Sequence, residues 1–198
     1  MPRINEIFQS LQGEGLHAGV PSVFIRFSGC NLRCPFCDTD HAAYALMTNE
    51  EIAAEACRYN APWVILTGGE PSLQAEQELV DLLHQNGKKV AIETNGTHPL
   101  PPGIDWITLS PKTGICGEAD LPLRIDRADE IKVVDTGQPL DPYFSLGCRT
   151  PRTLMYLQPC FVADEKERQA NIRRTVERVI ADPRWTLSAQ LHRFLNIP

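Results

Sequence analysis

A chain of 198 residues with 42% hydrophobic content can bury a substantial core, and residues 1–198 are expected to form a single domain. A formal charge of −6 argues against a broad nucleic-acid footprint, which needs clustered Lys and Arg. Its longest apolar stretches are strand-sized, too short for a membrane span, and Met1 to Glu6 lacks the apolar core of a secretory leader, so a cytoplasmic protein is expected.

Val23 to Phe27 is short, β-branched and aromatic, and reads as a strand ending at Ser28-Gly29. The next residues run Cys30-Asn31-Leu32-Arg33-Cys34-Pro35-Phe36-Cys37-Asp38-Thr39. A CxxxCxxC loop can hold three irons of a four-iron cluster and leave the fourth without a protein ligand, an open position suited to chemistry. His41 keeps a rival open, because CxxxCxxCxxxH also spells a closed Cys3His zinc site that would only staple the fold. The remaining cysteines, Cys57, Cys116, Cys148 and Cys160, share no CxxC spacing and read as isolated thiols, not as a second cluster.

Thr48 and Glu51 form a capping box ahead of a helix through Tyr59. Trp63 to Thr67 is a buried strand ended by Gly68-Gly69-Glu70-Pro71. Leu73 to Gln85 is a helix with Leu79, Leu82 and Leu83 on one face, stopped by Gly87. Strands follow over Lys89 to Thr94, Trp106 to Leu109, Glu130 to Val134 and Leu154 to Leu157. Ala163 to Ala181 is the longest helix, with Ile172, Val176, Val179 and Ile180 at helical spacing, and Trp185 to Ala189 is a last strand. The charges Arg168, Arg173, Arg174 and Arg178, interleaved with Glu165, Glu167 and Glu177, read as a solvated helix face.

Strands alternating with helices imply parallel βα units with right-handed crossovers. Six or seven strands with three convincing helices predict an α/β fold, an incomplete, helix-poor (β/α) partial TIM-like barrel. Its strand ends carry Gly29-Cys30, Gly68 to Pro71, Glu93-Thr94-Asn95-Gly96, Ser110-Pro111-Lys112 and Gln158-Pro159, which together form one site. The two glycines allow close backbone approach to a ligand, and Glu70 could pair with an ammonium.

The CxxxCxxC loop followed by a strand-terminal Gly-Gly-Glu-Pro resembles the radical S-adenosylmethionine superfamily. Phe8 to Gly15, Arg26 to Leu32, Cys37 to Asp40, Glu93 to Gly96 and the ending Leu195-Asn196-Ile197-Pro198 resemble the 7-carboxy-7-deazaguanine synthase family, from one end of the chain to the other. The resemblance implies a radical SAM fold, a [4Fe–4S] cluster, S-adenosylmethionine and Mg²⁺. It implies a lyase converting 6-carboxy-5,6,7,8-tetrahydropterin to 7-carboxy-7-deazaguanine with release of ammonia, through a 5′-deoxyadenosyl radical, on the route to queuosine and other deazapurines. Flavodoxin or ferredoxin as electron donor and a homodimer are implied as well.

Carried over by position, the resemblance gives Cys30, Cys34 and Cys37 to the cluster. Gly69, Ser110, Lys112 and Gln158 match S-adenosylmethionine contacts, with Pro111, Pro159, Cys160 and Phe161 in the same loops. Leu11, Gln12, Gly13, Glu14, Arg26 and Thr67 match substrate-binding positions, as does the terminal carboxylate of Pro198. Thr39 matches a Mg²⁺ ligand, and no residue beyond the cofactor ligands is assigned as catalytic. These types suit a carboxylated pterin: Arg26 offers a planar fork for its carboxylate, and Glu14 and the C-terminus offer acceptors for the N–H groups of its aminopyrimidine edge. His192 reads equally as a core histidine or a substrate contact, and Lys132 and Glu93 as polar groups without an assigned role. A glycyl-radical activase shares the cluster loop, but Gln12-Gly13-Glu14, Asp38-Thr39 and the Asn196-Ile197-Pro198 ending favour the pterin enzyme. A zinc module would leave the Gly-Gly-Glu-Pro and Ser-Pro-Lys strand ends without a function.

Overall fold

The computed structural model describes residues 1–37, 43–115 and 121–198. Asp38, Thr39, His41 and Cys116 lie outside the described residues, so the magnesium assignment of Thr39 and the zinc alternative at His41 have no structural counterpart here. The described strands are β1 (Arg3–Leu11), β2 (Pro21–Phe27), β3 (Ala45–Leu46), β4 (Trp63–Gly68), β5 (Lys89–Thr94), β6 (Trp106–Leu109), β7 (Glu130–Asp135), β8 (Leu154–Pro159) and β9 (Thr186–Leu187). The helices are α1 (Asn49–Cys57), α2 (Gln77–Gln85), α3 (Glu165–Ala181) and α4 (Leu191–Leu195).

These strands form one open sheet in the order β3-β1-β2-β4-β5-β6-β7-β8-β9. From β2 to β9 every neighbouring pair is parallel, whereas β1 pairs antiparallel with both β2 and β3. This is the expected partial barrel: β3 and β9 are its edges and the sheet does not close.

Alternation along each strand sorts side chains to two faces. On the helix-covered face Val23, Ile25, Phe27, Val64, Leu66, Val90, Ile92 and Ile107 join the core with Ile52, Leu79 and Leu83. Ile131, Val133 and Leu157 continue that face into a second cluster around Tyr143 and Trp185. On the concave face Phe24, Ile65 and Ala91 pack with Phe8, Trp63 and Trp106. Later positions in the same alternation are polar: Arg26, Thr67, Glu93, Lys132 and Gln158 all line the cleft at the C-terminal strand ends. An aromatic base under a polar rim follows directly from a period of two.

Several elements differ from the sequence expectation, among them the short β3 and α4, where no strand or helix was expected. β1 was not expected as a strand, because a register shift between Ile4 and Glu6 breaks its alternation. The helix expected over Leu73 to Gln85 divides into a 3₁₀ turn at Pro71–Leu73 and α2. The buried residues of α3 are Asn171 and Thr175, while Ile180 is 78% exposed. This helix is held by polar contacts: the Thr175 hydroxyl donates to Asp135 Oδ2 at 2.9 Å, Arg178 Nη1 donates to Asp135 Oδ1 at 2.5 Å, and Asn171 Nδ2 donates to the Cys160 carbonyl at 3.0 Å. Arg174 and Arg178 are thus anchors to a buried carboxylate, not part of a solvated face.

Candidate active site at the strand ends

The cysteine loop leaves β2 and is fixed from several sides. Gly69 N–H donates to the Phe27 carbonyl and Glu70 N–H to the Gly29 carbonyl, both at 2.9 Å. Gln74 Nε2 donates to the Ser28 carbonyl at 2.7 Å. Asn95 Nδ2 donates to Asn31 Oδ1 at 3.0 Å, and Asn31 Nδ2 donates to Thr97 Oγ1 at 2.8 Å, tying the loop to the end of β5. The β4 end requires glycine: Gly68 has φ +115°, and a Cβ there would lie 2.3 Å from the Phe27 carbonyl oxygen. Cys30, Cys34 and Cys37 all line one cleft of about 310 Å³, and Cys30 Sγ accepts the Leu32 N–H at 3.4 Å. Three thiols on one strand-end loop, one of them taking a backbone N–H, fit the donor set of an iron–sulfur cluster.

The Glu70 carboxylate is engaged by the protein itself. The residue is 1% exposed, and its carboxylate accepts from Thr94 Oγ1 at 2.6 Å, Asn95 N at 2.7 Å and Ser72 N at 3.1 Å. It braces the β4 and β5 ends against each other.

The deep part of the cleft holds a charge triad. Lys132 Nζ donates to Glu14 Oε2, and to Glu93 Oε1 at 3.2 Å. Glu14 Oε1 also accepts from Gln158 Nε2 at 3.0 Å and Gln190 Nε2 at 2.9 Å. Glu93 accepts from Gln12 Nε2 at 3.2 Å and Thr67 Oγ1 at 2.8 Å. Burial alone would raise the Glu14 pKa, but the Lys132 charge and the hydrogen bonds from Lys132 and Gln190 hold it below the ordinary carboxylate value. Burial likewise works against the Lys132 charge, yet Glu14 and Glu93 together push its pKa up. Glu130, just behind, is pushed up mainly by burial; its carboxylate accepts from Thr108 Oγ1 at 2.9 Å and Leu16 N at 3.0 Å.

The C-terminal segment closes one side of the cleft. Leu191 N–H donates to the Gly13 carbonyl at 3.0 Å, and the His192 ring sits where a Cβ on Gly13 would be, 2.3 Å from Nδ1. Asn196 turns the chain in the left-handed region, φ 54°, and Ser10 Oγ donates to the Pro198 terminal oxygen at 2.7 Å. Arg26 Nε donates to Glu6 Oε1 at 2.7 Å, and its guanidinium lies 5.8 Å from the Phe8 ring centre. Lys112 Nζ donates to the carbonyl and hydroxyl of Ser110, at 2.7 and 2.6 Å.

Of the residues expected at the site, Leu11, Gln12, Gly13, Glu14, Arg26, Thr67, Gly69, Ser110, Lys112, Gln158, Pro159, Phe161 and Pro198 line this cleft with the three cysteines. Pro111 and Cys160 are buried behind it, and burial pushes the Cys160 thiol up. Sequence reasoning gave no role to Lys132 and Glu93 and did not single out Gln190. The alternation Glu130-Ile131-Lys132-Val133, charged on one face and apolar on the other, was the available signal for Lys132.

Residues 24–114 match the model of the Radical SAM superfamily. The chain is 52% identical over 197 residues to a 7-carboxy-7-deazaguanine synthase of Bacteroides thetaiotaomicron, covering 100% of this chain and 99% of that relative. A relative of the same name from Nitratidesulfovibrio vulgaris is 40% identical, with 99% of each chain covered. The crystal structure of QueE from Escherichia coli superposes with a TM-score of 0.77 at 33% identity, over 94% of this chain and 92% of that one. A cysteine loop over a partial barrel and this full-length identity lead to one conclusion: the chain belongs to the 7-carboxy-7-deazaguanine synthase family.

Proposed function

We propose that the cleft converts 6-carboxy-5,6,7,8-tetrahydropterin to 7-carboxy-7-deazaguanine with release of ammonia. The observation that carries the reading is the Glu14–Lys132–Glu93 triad: two acceptor carboxylates, bridged by one buried ammonium, in the same cleft as the cysteine loop. Ionised carboxylates are acceptors only, and they suit the N–H donors of an aminopyrimidine edge. The Pro198 carboxylate, held by Ser10, adds an acceptor on the same wall. Arg26 supplies a guanidinium for the substrate carboxylate, with Glu6 holding it through Nε.

Membership of the family carries a [4Fe–4S] cluster and S-adenosylmethionine. Cys30, Cys34 and Cys37 would hold the cluster. Gly69, Ser110 and Lys112 would hold S-adenosylmethionine, with Pro159 and Phe161 beside them and Pro111 and Cys160 supporting those loops. When bound, these groups supply the hydrogen-abstracting radical, and the chain's own part is to fix the pterin beside it and exclude water. Thr39 would contribute an oxygen to Mg²⁺, an ion that often takes few protein ligands and completes its shell from substrate and water. Cys37 is exposed, which supports electron delivery by flavodoxin or ferredoxin. Exposed Phe194 and Leu195 on α4 support a homodimer. No helix among the described residues is long and apolar enough to cross a membrane, which accords with a cytoplasmic enzyme.

The test is anaerobic turnover of the reconstituted protein with the carboxylated tetrahydropterin, S-adenosylmethionine, Mg²⁺ and a one-electron reductant. The expected products are the deazaguanine and equimolar ammonia. Cleavage of S-adenosylmethionine with the pterin recovered intact would overturn the substrate assignment.

A further inference from the structure

We infer that Ser188 and Gln190 are positioning residues for Glu14, and that the Gln158 side chain belongs to the same device. The inference rests on Glu14 being a pterin-binding carboxylate, as proposed above.

Glu14 reaches the cleft from an irregular loop, so its rotamer has no strand or helix to set it. Two glutamine amides converge on Oε1, Gln158 at 3.0 Å and Gln190 at 2.9 Å, while Lys132 takes Oε2. A primary amide can turn either its oxygen or its nitrogen toward a carboxylate, and only the nitrogen is attractive. Ser188 makes that choice for Gln158. Its hydroxyl, 2% exposed as a residue, donates to Gln158 Oε1 at 2.8 Å, which leaves Nε2 directed at Glu14. Gly15 N–H in turn donates to Ser188 Oγ at 3.3 Å. The hydrogen bonds therefore run in one direction, from the Gly15 backbone through Ser188 and Gln158 to the carboxylate of Glu14. The device starts and ends on the same loop.

Ser188 is itself pinned, its N–H donating to the Leu157 carbonyl at 2.9 Å, and Gln190 leads into the Leu191 N–H bond to Gly13. The end of β9 thus reads the position of the 13–15 loop through both backbone and side chain. With both ends of its amide engaged, Gln158 can meet S-adenosylmethionine through its backbone, while its side chain serves the pterin wall.

Equilibrium binding to the reconstituted holoenzyme with S-adenosylmethionine and without reductant tests this. Ser188→Ala and Gln190→Ala should each weaken the pterin Kd by about tenfold, the effect of losing support for a charged acceptor. The Kd for S-adenosylmethionine and the cluster absorbance should stay at wild-type values. Gln190→Glu places a second carboxyl against Glu14, and the pair then shares one proton. At low pH the introduced carboxyl donates as the amide did and pterin binds normally; as pH rises and that proton leaves, repulsion weakens binding. A pterin Kd whose pH dependence does not differ from the wild type's, or a parallel loss of S-adenosylmethionine affinity, would overturn the inference. If Glu14→Gln itself leaves the pterin Kd unchanged, the proposed function falls instead, so the two failures are distinguishable.

Discussion

Strand β7 carries two buried charge networks, on opposite faces. Toward α3, Asp135 accepts from Arg178, from the Thr175 hydroxyl and from Gly137 N–H, with Arg174 at 3.6 Å. Here two guanidiniums surround one carboxylate that is 0% exposed. Toward the cleft, the ratio is reversed: Lys132 is one ammonium between the carboxylates of Glu14 and Glu93. Each of those carboxylates has three donors from the protein, and a carboxylate can take about four. Both networks are buried, so burial does not distinguish scaffold from site. What distinguishes them is the sign of the residual charge, negative in the triad and positive around Asp135, and the cavity beside the triad.

The largest effect should come from Lys132→Gln. Removing the ammonium leaves two carboxylates facing each other, and pterin affinity should drop by about a hundredfold to a thousandfold. The pH dependence should reverse as well. In the wild type the Glu14 pKa is lowered, so its contribution to stability is present above the ordinary carboxylate value and is lost as pH falls through the lowered one. Lys132, whose pKa is raised, contributes fully below its ordinary value and loses that contribution only as pH rises through the raised one. In the variant, burial acts on Glu14 without the lysine, and its pKa moves up. The Glu14 contribution to stability should then fall as pH rises above the ordinary carboxylate value, where in the wild type it is already complete. Melting temperatures from about pH 4 to pH 8 check the sign, and matching slopes in the two proteins would break the comparison.

Asp135→Ala should give the complementary result. It leaves Arg178 of α3 without its carboxylate and should cost about 3–5 kcal/mol of stability, read by denaturant titration. Pterin affinity of the folded fraction should remain at the wild-type level. A loss of affinity comparable to that of Lys132→Gln would mean that the two faces of β7 are coupled, and the separation of scaffold from site would fail.

Much of this division was legible in the sequence. Strand-terminal glycines, the cysteine spacing and the period-two strands located the sheet and most of the cleft, because those signals are local. The antiparallel β1 escaped because its bulge interrupts the alternation, and its conformation is set by pairing with β2. The polar seat of α3 escaped because Ile172 and Ile180 imitate a core face, whereas the partner that decides its orientation, Asp135, lies 40 residues from Thr175. Glu70 looked like a ligand group because a strand-end carboxylate gives no sign of the Thr94 and Asn95 donors that tie it to the end of β5. Lys132 and Gln190 meet Glu14 across separations of 118 and 176 residues, which no local pattern encodes.

The smallest effect tests the cleft side of the comparison alone. Thr67 sits opposite Arg26 in the β2–β4 register, and its hydroxyl donates to Glu93 Oε2 at 2.8 Å. Thr67→Val keeps the shape and removes that donor, while Lys132 and Gln12 still hold Oε1. The expected loss is about 1 kcal/mol, or about fivefold in pterin Kd, with no change in cluster content. Because the site works through its residual negative charge, freeing one oxygen of Glu93 should cost far less than removing the ammonium that lies between the two carboxylates. A loss equal to that of Lys132→Gln would place the discrimination in the geometry of Glu93 and not in the charge balance of the triad.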